Sequence, residues 1–152
     1  RMEKIFFLRR WPGVREGLLQ IVAAFEPNDL HHQPTKGGWP IGRIILHISS
    51  AANFWLHSGI LSPTNLYRPG ESTLENYPTI DAIRDFLAEE HGRTMDLLRD
   101  IDQANWDKRF TYPDGDAYPP SWVFWHVLEH EIHHRGELSL ALGQLGRGGL
   151  DL

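Results

Sequence analysis

The chain has 152 residues, with 15 Lys and Arg against 20 Asp and Glu, and no cysteine. That length suits one domain able to bury a core without staples, while the missing thiols exclude disulfides, thiolate catalysis and sulfur-ligated metal and are compatible with a reducing cytosol. A net charge of −5, with only Arg9 and Arg10 clustered, argues against nucleic acid, whose binders carry a basic face.

No apolar run approaches the roughly 20 residues of a membrane span, and the first residues lack the apolar stretch and cleavage site of a signal peptide. A cytoplasmic protein is therefore expected, with no membrane partner. Arg1 precedes Met2 and is set aside, which leaves one domain over residues 2–152. Nine histidines and six tryptophans stand out. Imidazole is the commonest metal ligand, so its excess is the first feature to explain.

The first helix is predicted from about Pro12 to Phe25, with Val14, Leu18, Ile21, Val22 and Phe25 on one side. Ile5 to Leu8 either extend it or form a packed arm. Pro27, Asn28 and Asp29 end it. The second helix opens after Gly37-Gly38-Trp39 with Pro40 at its first position, and Ile41, Ile44, Ile48, Ala51 and Trp55 trace one face. Residues 62–78 read as a long loop. The third helix, capped by Thr79 or Asp81, carries the stripe Ile80, Ile83, Leu87, Thr94, Leu98 and Ile101. Residues 105–120 form a second irregular crossing, with a short strand at Phe110 to Tyr112 and a tight turn at Asp114-Gly115. The last helix runs from about Pro120 to Leu145 and stops at Gly146, Gly148 and Gly149. Four such helices predict an all-α four-helix bundle. The connections between helices 2 and 3 and between 3 and 4 exceed the usual two to eight residues of a bundle loop, the mark of functional loops.

The last helix reads HVLEHEIHHRGEL from His126 to Leu138. At about 100° per residue, His126, His130, His134 and Glu137 share an arc of roughly 80°, with His133 just outside it. His130 and His134 stand one turn apart and can converge on one ion, whereas His126 and His134 are about 12 Å apart along the axis and cannot. Taken alone, such a pair is equally a polar face. Val123, Val127, Leu138 and Ala141 flank it, however, so these imidazoles border a buried stripe and need partners. His47, on the inward face of the second helix, is the candidate third ligand, and His91 ranks second. His31, His32 and His57 read as surface or loop residues.

The segments GWPIGRIILHI and WVFWHVLEHEIHHRGEL, above all the closing HEIHHRGEL, resemble the DinB/YfiT-like superfamily over nearly the whole chain. The resemblance implies a four-helix bundle with one divalent ion, commonly nickel or zinc, on His47, His130 and His134. It further implies a homodimer acting on a small molecule, with low-molecular-weight thiols such as mycothiol or bacillithiol as the cofactors of several relatives. Glu137 stands where such proteins often have Gln.

Three protein ligands leave a position open, as in catalytic rather than closed sites. Such an ion can activate water for hydrolysis or a thiol for transfer. Glu137 is a weak catalytic candidate, either an acceptor for an imidazole N–H, a general base, or merely an ion-pair partner of Arg135. Trp39, Trp55, Trp122 and Trp125 line a pocket or fill the core. Gly136 suggests close approach of another helix, from this chain or from a partner subunit. Two rival readings stand beside the enzyme: a non-enzymatic stress-response protein with a structural ion, and a hydrogen-bonded histidine cluster with no metal.

Overall fold

Phe7 and Trp11 are fully buried in line with Leu18, Ile21 and Val22, and this continuous apolar stripe decides the first element. Helix α1 runs Lys4–Ala24, with Pro12 inside it rather than at its start. The burial of two aromatics outweighs the roughly 3 kcal/mol that an interior proline costs. A short 3-10 turn, Pro27–His31, follows. Helix α2 spans Ile41–His57, starting one position later than predicted, with Pro40 as its N-cap. Helix α3 spans Ile80–Asp100 and is capped by Thr79, whose hydroxyl accepts from the Ala82 N–H. Helix α4 spans Pro120–Gln144. The computed structural model describes residues 2–152. The predicted strand appears as β1 (Phe110–Thr111), paired antiparallel with β2 (Ala117–Tyr118) across the Asp114-Gly115 turn, where Gly115 has φ +89°.

Each of α1 and α2 packs against both α3 and α4. The core divides into two apolar clusters, and their membership fixes the helix directions. One unites Leu18, Ile21, Ile41, Ile44, Ile83, Leu87, Ala141 and Leu142; the other unites Phe7, Trp11, Ala52, Leu56, Met95, Leu98, Phe124 and Val127. The first halves of α1 and α4 therefore meet the second halves of α2 and α3. Neighbours α1 and α4 run parallel, and so do α2 and α3. A parallel pair consecutive in sequence cannot be joined by a short turn. Residues 58–79 must return along the length of the bundle, which explains the long loop. This crossover is held to α2 at Gly42, where a Cβ would overlap the Leu74 side chain.

Between the clusters lies a charged layer that the sequence stripes did not reveal. Arg15 Nε and Nη2 donate to both oxygens of Glu131, each at 2.9 Å, and Nη2 also donates to Glu90 at 3.1 Å. Arg15 Nη1 donates to the Leu87 carbonyl, and Trp11 Nε1 to Glu131 at 2.8 Å. Thr94 Oγ1 donates to Glu90 at 2.5 Å, Ser49 Oγ donates to the same carboxyl at 3.4 Å, and His57 Nε2 lies 3.3 Å from Thr94 Oγ1. Burial disfavours the Arg15 charge, but Glu131 and Glu90 outweigh it and hold the guanidinium above its ordinary pKa. Burial pushes the Glu90 carboxyl up. His57, expected at the surface, is 2% exposed. The expected approach of another helix to Gly136 is not met within the chain, since nothing lies within 4 Å of where its Cβ would stand.

Two measurements check this layer. Arg15→Met leaves two carboxyl groups in the core without their cation and should cost about 3–5 kcal/mol in chemical denaturation. Burial and then Arg93 lower the His57 pKa to about 4, so between pH 6.5 and 4 the unfolded chain binds the extra proton. His57 thus contributes stability that is fully present above about pH 6.5 and lost as pH falls toward 4, up to about 3 kcal/mol. His57→Gln should flatten the acid limb of stability against pH.

Candidate metal centre

On the seam between α2 and α4, three imidazoles meet nitrogen to nitrogen. His130 Nε2 lies 3.0 Å from His47 Nε2 and 3.1 Å from His134 Nε2. The placement follows from the helices: His47 is one turn from Ala51 on α2, and His130 and His134 are successive turns of α4. Glu131 and Ser49, beside these ligands in sequence, point the other way into the charged layer.

The protonation states suit metal binding. His134 Nδ1 stands 2.8 Å from Glu137 Oε2, which places its proton on Nδ1 and turns the Nε2 lone pair inward. Burial, then the neighbouring imidazoles, lowers the His130 pKa to about 3. Burial, His134 and Arg43 lower that of His47. With every Nε2 unprotonated, three lone pairs would face one point and repel each other, and a cation there would relieve them. Tetrahedral zinc with bonds of 2.0–2.1 Å holds its nitrogens about 3.3 Å apart; the two contacts here come within a few tenths of an ångström of that. His47, His130 and His134 can therefore hold one ion.

The other histidines lie elsewhere. His126 stacks on Trp122 at 4.8 Å and meets Trp55 edge-on at 5.0 Å. His133 is exposed; it neighbours the His134 ring at 4.8 Å and forms with His134 and Glu137 a more open cluster. His91, ranked second for the third ligand, packs on Trp11 at 6.1 Å, away from the triad. His31 and His32 are exposed as expected.

A cavity of about 310 Å³ opens beside the triad, lined by His47, Ser50, Phe54, Trp55, Tyr67 and His130, with His126 on its wall. Of the four tryptophans considered, Trp55 lines this cavity, and Trp39 meets the His47 ring edge-on at 4.9 Å. Trp122 backs His126, and Trp125 faces solvent. Both long loops contribute. Tyr67 of the crossover lines the cavity, and Tyr112 of the second loop donates to the Trp55 carbonyl at 2.6 Å. Glu129 is exposed, and Glu131 belongs to the Arg15 layer. Arg15 was missed although a signal existed: it falls four residues after Trp11 and three before Leu18, on the inward face of α1.

A four-helix bundle with a histidine triad on one seam is the class that fold and site define. Residues 11–138 match the DinB superfamily, and the chain belongs to that superfamily. The uncharacterised protein YrdA of Bacillus subtilis is 21% identical over 145 residues, spanning 92% of this chain and 81% of YrdA. Among solved structures, YfiT of Bacillus subtilis, described as a probable metal-dependent hydrolase with an unusual four-helix bundle topology, superposes with a TM-score of 0.75 at 20% identity, covering 94% of this chain and 87% of YfiT. A mycothiol-dependent maleylpyruvate isomerase superposes with a TM-score of 0.68 at 16% identity over 90% of this chain and 61% of the isomerase.

Glu137→Gln keeps an oxygen able to accept from His134 Nδ1 and should leave metal affinity near wild type. Glu137→Leu should weaken it about 10–100-fold, read by competition with a chromogenic chelator.

Proposed function

We propose that the chain is a divalent-metal-dependent enzyme acting on small molecules, with zinc or nickel held by His47, His130 and His134. The observation that carries this reading is the three-nitrogen cluster opening onto a cavity of about 310 Å³. A closed structural site would supply four ligands and no cavity. An ion bound there would supply Lewis acidity, lowering the pKa of a thiol or of water.

Transfer of a low-molecular-weight thiol fits the walls best. Among the described residues no Asp or Glu lines the cavity, and Glu137 is turned to His134, so a carboxylate base for water is lacking. A thiol that ionises near neutrality needs none. The apolar walls of Phe54, Trp55 and Tyr67 would exclude water from the electrophile. Hydrolysis is the second reading, supported by His126, an imidazole on the same wall that can take a proton. The absence of cysteine, and of any described helix long and apolar enough to cross a membrane, is consistent with a place in the cytosol.

The partner we propose is a second copy of the chain. Trp125, Ile132, Gly136 and Leu140 fall within about 80° on the outer face of α4, and Leu140 is 67% exposed. Gly136 there would let a partner helix come close. Leu140→Glu and Gly136→Leu should each shift a dimer toward monomer in light scattering; an unchanged mass for both variants would refute this interface.

Elemental analysis of wild type and His130→Ala tests the main reading. About one ion per wild-type chain and none in the mutant is the expected result, with thiol-transfer activity toward an electrophilic bimane lost in parallel. Activity that survives loss of the ion would sink the proposal. A melting temperature that collapses on chelation in a protein with no turnover would favour a structural ion instead.

A further inference from the structure

The triad borders a second cavity, of about 150 Å³, on the other side of His47. Trp39, Arg43, Ser50, Gly70 and Ser72 line it with His47. Arg43 lies one turn before His47 on α2, and its guanidinium sits 4.3 Å over the Trp39 ring. Trp39 in turn meets His47 edge-on, so one indole places both the cation and the triad histidine. Arg43 is exposed, and no ion pair or hydrogen bond engages its guanidinium among the described residues. An unpaired guanidinium held on an aromatic face keeps its fork of N–H donors free for an oxyanion.

The two cavities share His47 and Ser50. The Ser50 side chain makes no hydrogen bond among the described residues, which leaves a hydroxyl free where the cavities join. Gly70, with φ +77°, bends the crossover loop around the smaller cavity, and a side chain there would meet nothing within 4 Å. The smaller compartment carries Arg43, the larger one the rings of Phe54, Trp55 and Tyr67, and His47 and Ser50 line both.

We propose that Arg43 is a specificity-determining residue that binds the oxyanion head of the substrate, a carboxylate or a phosphate, while an apolar or aromatic body lies between Phe54, Trp55 and Tyr67. This rests on the triad being the reacting centre, and it assigns that centre a substrate class: small amphiphilic anions. Neutral analogues of the same shape would lose the Arg43 contact.

The test is an NMR titration of the full chain as purified, its metal content measured in every sample. The probes are 3-phenylpropionate, its neutral amide and 2-phenylethyl phosphate, and the reporters are the Arg43 Nε–H and Trp39 indole N–H signals. Wild type should bind the anions at least ten-fold more tightly than the amide. Arg43→Gln should remove that preference without loss of metal or change in amide binding. Arg43→Lys should retain part of it, and Arg84→Gln, a distant exposed control, all of it. The tighter of the two anions identifies the head group. Anion affinity indifferent to Arg43→Gln in metal-bearing protein overturns the subsite alone. Binding that depends on Arg43 in a protein that takes up no metal upholds the subsite and defeats the metal reading.

Discussion

The bundle depends on one buried interaction, the paired contact of Arg15 with Glu131 and Glu90. A guanidinium in a core is tolerated only when its donors are met, and here carboxylates from α4 and α3, with a carbonyl of α3, meet them. Apolar side chains tolerate small slides along a helix, whereas a two-pronged charged contact does not. The layer therefore sets the axial register of α1, α3 and α4, and Ser49 ties α2 to it. It also sets the metal centre. Glu131 follows His130 and Ser49 is two residues after His47, so fixing one face of these helices aligns the imidazoles on the other.

Helix direction explains where substrate can enter. Because α2 and α3 are parallel neighbours, the chain between them travels back along the bundle and passes the mouth of the triad. Tyr67, Gly70 and Ser72 are in this way brought against His47, and they complete walls that no helix supplies. The second long connection acts from behind, through Tyr112 on the Trp55 carbonyl and Tyr118 stacked on Trp122 at 4.4 Å. The crossover is long for reasons of topology, and side chains of both loops serve the site.

Much of this was legible in the residue order, and the rest was hidden for physical reasons. Apolar spacing gave the four helices, and the one-turn spacing of His130 and His134 with an inward His47 pointed to the imidazoles that converge. Pro12 misled because a proline inside a helix costs less than two aromatics gain by burial. His57 misled because it ends a helix, where exposure is usual, yet the parallel α3 covers it and offers Thr94. The charged layer escaped because Arg15, Glu90 and Glu131 look like solvent-facing residues until three helices are brought together. Arg43 escaped likewise: its role depends on Trp39 lying beneath it, which spacing alone does not tell.

The parallel packing of α1 against α4 joins elements far apart in sequence, and this shapes how the protein comes into being. Arg15 leaves the ribosome well before its main counter-ion, which is 116 residues behind it. His47 likewise waits 83 residues for His130. Until α4 is synthesised, the nascent chain can neither complete the pairing of its cation nor gather its imidazoles. A fragment lacking α4 would leave Arg15 without its two-pronged partner Glu131 and remain open to quality control. Synthesis of α4, closure of the core and readiness to take up metal are thus a single event.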